Sequence, residues 1–235
     1  VFLGLRPEGV ARTMPLFRTD MASSPLERFA AHEPAAALAP TPMQKLREAT
    51  RVAHASIEAS LPLFAPTFTR AHYVRLVEAF YGFYAPLELR IADAALLHSA
   101  RGAHLAIRGR AKAPLLVDDL LALGKTSAQI EALPRCTALP RVASASRVLG
   151  ALYVLEGATL GGQIISRHLR DRLDLEKSSG AAFFVGYGEA TGVMWKRFAA
   201  QVDGYASLDI DAAIGAAIET FETLERWLIA SLDRS

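Results

Sequence analysis

The chain is poor in cysteine, in net charge and in uninterrupted apolar sequence, and each shortage excludes something. Cys136 is its single cysteine. That rules out an internal disulfide framework and fits a reducing compartment. A lone cysteine outside any nucleophile motif reads first as a small buried hydrophobe. Lysine and arginine number 26 against 24 aspartates and glutamates, a formal net charge of +2. No strong pull toward nucleic acid follows from that balance, and no K/R-rich run or nucleic-acid motif is present. The most apolar window, residues 149 to 165, is broken by Glu156 and carries four glycines, whereas a membrane-spanning helix needs about 20 nearly charge-free residues. Residues 1 to 5 are apolar but too few for a signal-peptide core, and Arg6 follows at once. The expectation is a cytoplasmic protein with no membrane partner. Strand-like alternation is nearly lacking too; its one candidate, residues 182 to 185, is too short to build a sheet.

What is present is helical period. Just over half of the 235 residues are hydrophobic (51%) and 21% are charged, ordinary for a globular protein long enough to bury a core. Residues 1 to 40 hold no sustained period and end in an Ala/Pro stretch, so they are expected to form a weakly ordered extension, with the domain over 41 to 235. Met14, Met21 and Met43 are each possible translation starts. Thr41 and Pro42 are cap and first-turn residues. Met43, Leu46, Thr50, Ala53 and Ile57 then make one apolar stripe, predicting a helix to about Ser60. Thr69 is the expected cap of a second helix burying Tyr73, Leu76, Val77, Phe80, Tyr81 and Tyr84, which Pro86 either kinks or ends. A basic loop is expected over 100 to 113, then a short helix over 114 to 123 closed by Gly124. A long helix is predicted from Pro140 to about Leu173, then a polar loop over 174 to 192. Two last helices cover 193 to 205 and 209 to 232. The fold class is all-α.

Two helices carry candidate chemistry. In the first, Arg47 and His54 lie seven residues apart, nearly one face of a helix, separated by about 10 Å along its axis. Glu58, four residues after His54, can accept from the histidine Nδ1–H, fixing the tautomer and leaving Nε2 for a metal. A plain amphipathic helix with a surface ion pair explains the same trio. His32, His72, His98, His104 and His168 have no such partners in sequence and read as surface or core residues. In the second helix, Gly150, Gly157, Gly161 and Gly162 fall within thirteen positions, and each interior glycine costs about 1 kcal/mol relative to alanine. Gly150, Gly157 and Gly161 share a face by spacing. Close helix–helix packing is one reason for that face; a flat ligand lying on bare backbone, with Gly161-Gly162 permitting a kink, is the other. Neither a phosphate loop, a Glu-x-x-His pair, a zinc cluster nor a Ser or Cys nucleophile motif occurs.

The segments Leu46-Arg-Glu-Ala-Thr-Arg-Val-Ala-His54, Tyr81-Gly-Phe-Tyr-Ala-Pro-Leu-Glu88, Leu149-Gly-Ala-Leu-Tyr-Val-Leu-Glu-Gly-Ala-Thr-Leu-Gly-Gly-Gln163 and Phe183-Phe-Val-Gly-Tyr-Gly-Glu-Ala-Thr-Gly-Val-Met-Trp195 resemble the bacterial biliverdin-producing haem oxygenases in order and spacing. The resemblance covers about residues 43 to 232. It implies a multi-helix bundle holding haem, both substrate and cofactor, between a proximal and a distal helix. It implies that His54 is the iron ligand, that Glu58 orients it, and that Arg47 and Lys196 contact the propionates. Gly157 and Gly161 would lie over the ring and leave room for dioxygen. The implied reaction opens haem to biliverdin, carbon monoxide and ferrous iron. Ala158 departs from members with an aspartate directly after the first distal glycine. With no flavin or nicotinamide motif, electrons must come from an external donor such as a ferredoxin or a reductase. Arg101, Arg108, Arg110 and Lys112 offer it a basic patch, or are a solvated loop. The alternatives that stay open are a non-enzymatic haem carrier or sensor, a thiamine-degrading-type relative using Cys136, and a helical interaction module using the glycine face.

Overall fold

A computed structural model describes residues 39–98, 107 and 109–233. The expected N-terminal extension therefore lies outside the described residues. The chain is all-α: helices α1 (Pro42–Ala49), α2 (Arg51–Ser60), α3 (Arg70–His98), α4 (Ala113–Ala122), α5 (Ser127–Glu131), α6 (Ala145–Leu173), α7 (Ala182–Val185), α8 (Thr191–Asp203) and α9 (Ile210–Leu232). No strand occurs among the described residues.

Local chemistry sets most of the ends. Thr41 and Gln44 form a reciprocal capping box ahead of Pro42. Thr69 Oγ1 accepts from the His72 N–H at 3.3 Å, while His72 Nδ1 accepts from the Thr69 N–H at 3.1 Å. His72 is thus part of a helix cap. Asp209 caps α9 by accepting from the Ala212 N–H, and Gly124, at φ 94°, turns the chain out of α4. The expected single helix over 41 to 60 is two pieces. The buried Thr50 hydroxyl donates to the Leu46 carbonyl at 2.8 Å, a back-bond that bends helices. The i→i−4 bonds from Thr50 to Leu46 and from His54 to Thr50 survive the bend.

α3 continues past Pro86 without ending. Proline has no N–H for the carbonyl four residues earlier, and that carbonyl, of Gly82, accepts the Cys136 N–H at 2.8 Å instead. A Cβ at residue 82 would stand 2.6 Å from the Pro134 carbonyl oxygen and 2.7 Å from the Trp227 ring, so only glycine admits the strap. Cys136 is buried in that strap, as a small hydrophobe. Because Arg90 also holds the carbonyls of Leu139 and Pro140, the strap stays irregular. The long helix consequently begins at Ala145, capped by Ser144, rather than at Pro140. Residues 182 to 185 are a helical turn and not a strand. The buried Asp119 carboxylate accepts from the Ala182 and Phe183 N–H groups at 2.6 and 2.8 Å, satisfying the first donors of α7.

α9 is the post of the bundle. α6 packs on it most extensively, and α1, α2 and α3 also rest on it. A Cβ at Gly150 would fall 2.0 Å from the Ala213 carbonyl oxygen. The two backbones therefore meet directly, over the fully buried Ala213, Ala216 and Ala217. Among the described residues α6 alone is long and apolar enough to cross a membrane. More than half of its most apolar stretch is buried inside the bundle, as in a core helix.

Candidate functional site

The segments on either side of α2 each form a joint with α6. Before α2, the Thr50 hydroxyl meets the Tyr153 hydroxyl at 3.4 Å. After it, the Phe64 ring meets the tilted ring of His168 at 4.8 Å between centroids, and Arg172 reaches the Pro66 carbonyl at 3.4 Å. The two joints are fifteen residues apart on α6, about 22 Å along its axis. His54 lies one turn beyond the first joint on α2, and Gly157 one turn beyond it on α6. Gly161, with the exposed Leu160 and Ile164, completes the α6 stretch between the joints.

His54 lies on the face of α2 that meets α9. Its side chain is 42% exposed, its Nδ1 faces Glu58 Oε2 at 3.5 Å, and its ring stands edge-on to Phe221 of α9, 5.6 Å between centroids. The carboxylate sits slightly beyond ordinary hydrogen-bond length, on the Nδ1 side, so Nε2 is the nitrogen left for a ligand. Arg47 is exposed on α1 and Lys196 on α8. These two helices pack together, tied by the Asp203 carboxylate accepting from the Met43 N–H at 2.9 Å.

The glycines of α6 divide between the two explanations open from sequence. Gly150 abuts α9, and a Cβ at Gly162 would stand 2.5 Å from the Phe184 carbonyl oxygen; both are packing glycines. A Cβ at Gly157 would meet only the Trp195 ring, at 3.8 Å, and at Gly161 nothing within 4 Å. The expectation of one shared face is corrected accordingly: Gly150 belongs to the helix–helix contact, Gly157 and Gly161 to more open surroundings. Trp195 lies against the tilted rings of both Tyr153 and Phe198, which tie α8 to α6 beside Gly157.

Sequence reasoning missed a buried ionic knot directly before Gly157. Glu156, 1% exposed, is held by Arg110, by Lys112 Nζ at 2.9 Å and by the Tyr187 hydroxyl at 2.8 Å. Lys112 also donates to the Tyr187 hydroxyl at 2.8 Å and to the Arg110 carbonyl. Glu88 accepts from the N–H groups of Lys112 and Ala113 at 2.6 and 3.0 Å, capping α4 from α3. Burial pushes the Lys112 ammonium below its ordinary value, against the attraction of Glu156, and pushes Glu88 above its own, against those two N–H groups. Burial, then Glu156, raises the Tyr187 phenol. The Tyr84 hydroxyl, raised by burial and by the charges of Glu88 and Glu156, is fully buried without a hydrogen-bond partner. The basic patch expected of Arg101, Arg108, Arg110 and Lys112 is corrected here. Arg110 and Lys112 face inward because Glu156 neutralises them, while Arg101 and Arg108 lie outside the described residues. The one signal in the sequence was an acidic residue stranded in the most apolar window. Of the other histidines, His168 stacks on Phe64; His32, His104 and the side chain of His98 lie outside the described residues.

The sequence model of the family described as "Heme oxygenase" matches residues 41–230. No curated protein matches the sequence. Among solved structures, heme oxygenase from Leptospira interrogans superposes with a TM-score of 0.65 at 16% identity, over 81% of this chain and 99% of that one. The NO- and CO-bound heme oxygenase from Neisseria meningitidis gives 0.65 at 20% identity, over 84% and 94%. Heme oxygenase-1 from Synechocystis sp. PCC6803, in complex with heme, gives 0.63 at 15%, over 80% and 90%. At these identities the likeness is one of fold.

Proposed function

From the premise that the chain belongs to the haem oxygenase family, we propose that it binds haem in the slot between α2 and α6 and opens the ring to biliverdin, carbon monoxide and ferrous iron. The observation that carries this reading is the placement of a half-exposed imidazole on α2 and of an open stretch of α6 between the same two joints; a Cβ at Gly161 would meet no atom within 4 Å. These residues fit a flat iron macrocycle that His54 would hold from the α2 side.

Haem is the substrate, and its iron supplies the activation of dioxygen with electrons from an external donor such as a ferredoxin or a reductase. His54 holds the iron through Nε2, and Glu58 orients the ring from the Nδ1 side. A neutral imidazole would donate less electron density to the iron than a thiolate does. Arg47 and Lys196, on adjacent helices, take the propionates and set the rotation of the ring. Leu160 and Ile164 supply apolar surface, and Gly157 and Gly161 leave room beside bare main chain for dioxygen. Ala158 contributes no carboxylate, so polar contacts there come from main chain or from other polar residues. The setting is cytoplasmic, without nucleic-acid or membrane partners.

The test is a haem titration of the purified chain followed by reduction under oxygen. A Soret band that gives way to a bilin band is expected, and a Soret band that persists unchanged would leave only a haem carrier. His54→Ala is expected to weaken haem binding and to lower turnover by about a thousandfold or more, a loss of about 4 kcal/mol in transition-state stabilisation. Full activity and an unaltered haem spectrum in that variant would remove the ligand assignment.

A further inference from the structure

The glycine stretch of α6 is bracketed. Glu156 stands immediately before Gly157 and Gln163 immediately after Gly162, and both reach the same covering segment, residues 185 to 191. Glu156 accepts from the Tyr187 hydroxyl at 2.8 Å. Gln163 Nε2 donates to the Val185 carbonyl at 2.9 Å and to Thr191 Oγ1 at 3.2 Å. Between the two, Gly162 brings the helix directly against the Phe184 carbonyl just ahead of that segment, while the Thr159 hydroxyl back-bonds the Glu156 carbonyl at 2.6 Å. The covering segment is itself shaped for this. Gly186 and Gly188, at φ 54° and 58°, flank Tyr187 and turn its hydroxyl back toward α6 in a conformation other residues seldom adopt.

A carboxylate buried among two cations is a poor source of net stability, because desolvation offsets the attraction. A helix segment with three glycines in six positions, however, is conformationally loose unless something outside it fixes its path. We propose that Glu156 and Gln163 are positioning residues for haem cleavage: paired clamps that fix Gly157 to Gly162 relative to the ring, and so set how dioxygen is aimed at it. Arg110 and Lys112 neutralise the first clamp from the segment before α4. Arg110 also lies over the Phe198 ring at 5.5 Å, and Phe198 backs Trp195, the residue against Gly157. The proposal rests on the reading of the slot as the haem site.

Tyr187→Phe and Gln163→Met each remove one clamp contact with little change of volume, and Glu156→Gln removes the charge. If Glu156→Gln fails to fold, the two mild variants decide. In the haem-free chain, amide exchange at residues 157 to 162 is expected to rise about tenfold, with residues 148 to 152 unchanged. With haem, the mild variants should keep the wild-type Soret band and affinity within about twofold, lose about tenfold in kcat at unchanged KM, and give a broadened mixture of bilin isomers. A lower Tm with unaltered exchange, isomer ratio and kcat would overturn the proposal. So would faster exchange with isomers and kcat unchanged, which is a purely structural clamp. A wild-type chain that shows no Soret band overturns the haem reading and this inference together. A normal Soret band with unmoved isomers overturns this inference alone.

Discussion

Gly150 and Gly161 sit eleven residues apart on one helix and have opposite reasons to be glycine, which makes them a test at the scale of single atoms. An alanine methyl at Gly150 would fall 2.0 Å from the Ala213 carbonyl oxygen, a backbone atom that can yield only if α6 and α9 separate. Gly150→Ala is therefore expected to cost about 1–3 kcal/mol, seen as a lower midpoint in denaturant, with kcat per folded molecule unchanged. At Gly161 the same methyl meets nothing. Gly161→Leu should hold stability or raise it by up to about 1 kcal/mol, yet alter dioxygen binding or the bilin isomer by filling the space beside it. A destabilised Gly161→Leu with wild-type products would reverse the two assignments. The His54–Glu58 pair was legible because it depends only on helical period, whereas Arg47 stands on α1, across the bend at Thr50, so the expected shared face with His54 does not follow from one helix. The partners of Glu156 were not, since they come from 46, 44 and 31 residues away, and nothing local announces such contacts.

Elements were legible where their ends are local. Thr41, Thr69, Gly124 and Asp209 mark ends through side chains or φ angles within a turn. They were hidden where a distant group decides: Arg90 and Gly82 hold the strap before α6, and Asp119 makes a helical turn of residues 182 to 185. Asp119 gives that turn a pH signature. Burial raises its carboxyl from 3.8 to about 6, opposed by the Phe183 and Ala182 N–H groups, with the Asp118 charge adding to the rise. The native chain thus holds this proton more tightly than the unfolded chain. The contribution is fully present below pH 3.8 and is lost as pH rises through about 6, on the order of 3 kcal/mol in all. Asp119→Asn cannot titrate. Unfolding free energies of the two proteins, measured from pH 4 to pH 7, should diverge in the wild type's favour toward pH 4. Parallel curves would mean that the Asp119 carboxyl is not shifted in the native state.

For the whole molecule, the all-α class was legible from period and the family from four motifs, but the contacts around α2 were not. They unite residues about a hundred positions apart, as Thr50 with Tyr153, and period carries no information about which helices meet. That geometry also distributes stability unevenly. α1 and α2 bury one residue each, Leu46 and Ile57, whereas α6 buries twelve. The proximal side of the slot is thus the part with least holding it down, and it should open locally before the α6–α9 pair does. A ligand gripped between α2 and α6 binds only when both are in place. At a free concentration of about 100 times its Kd it stabilises the folded state by about 2.7 kcal/mol. Haem should accordingly slow amide exchange most in residues 42 to 60 and least in the α6–α9 contact, which is already closed without it. His54→Ala should abolish that difference at the same haem concentration. Hydrogen exchange read by mass spectrometry with and without haem decides the point, and protection spread evenly over the chain would mean that the ligand sits somewhere other than between these two helices.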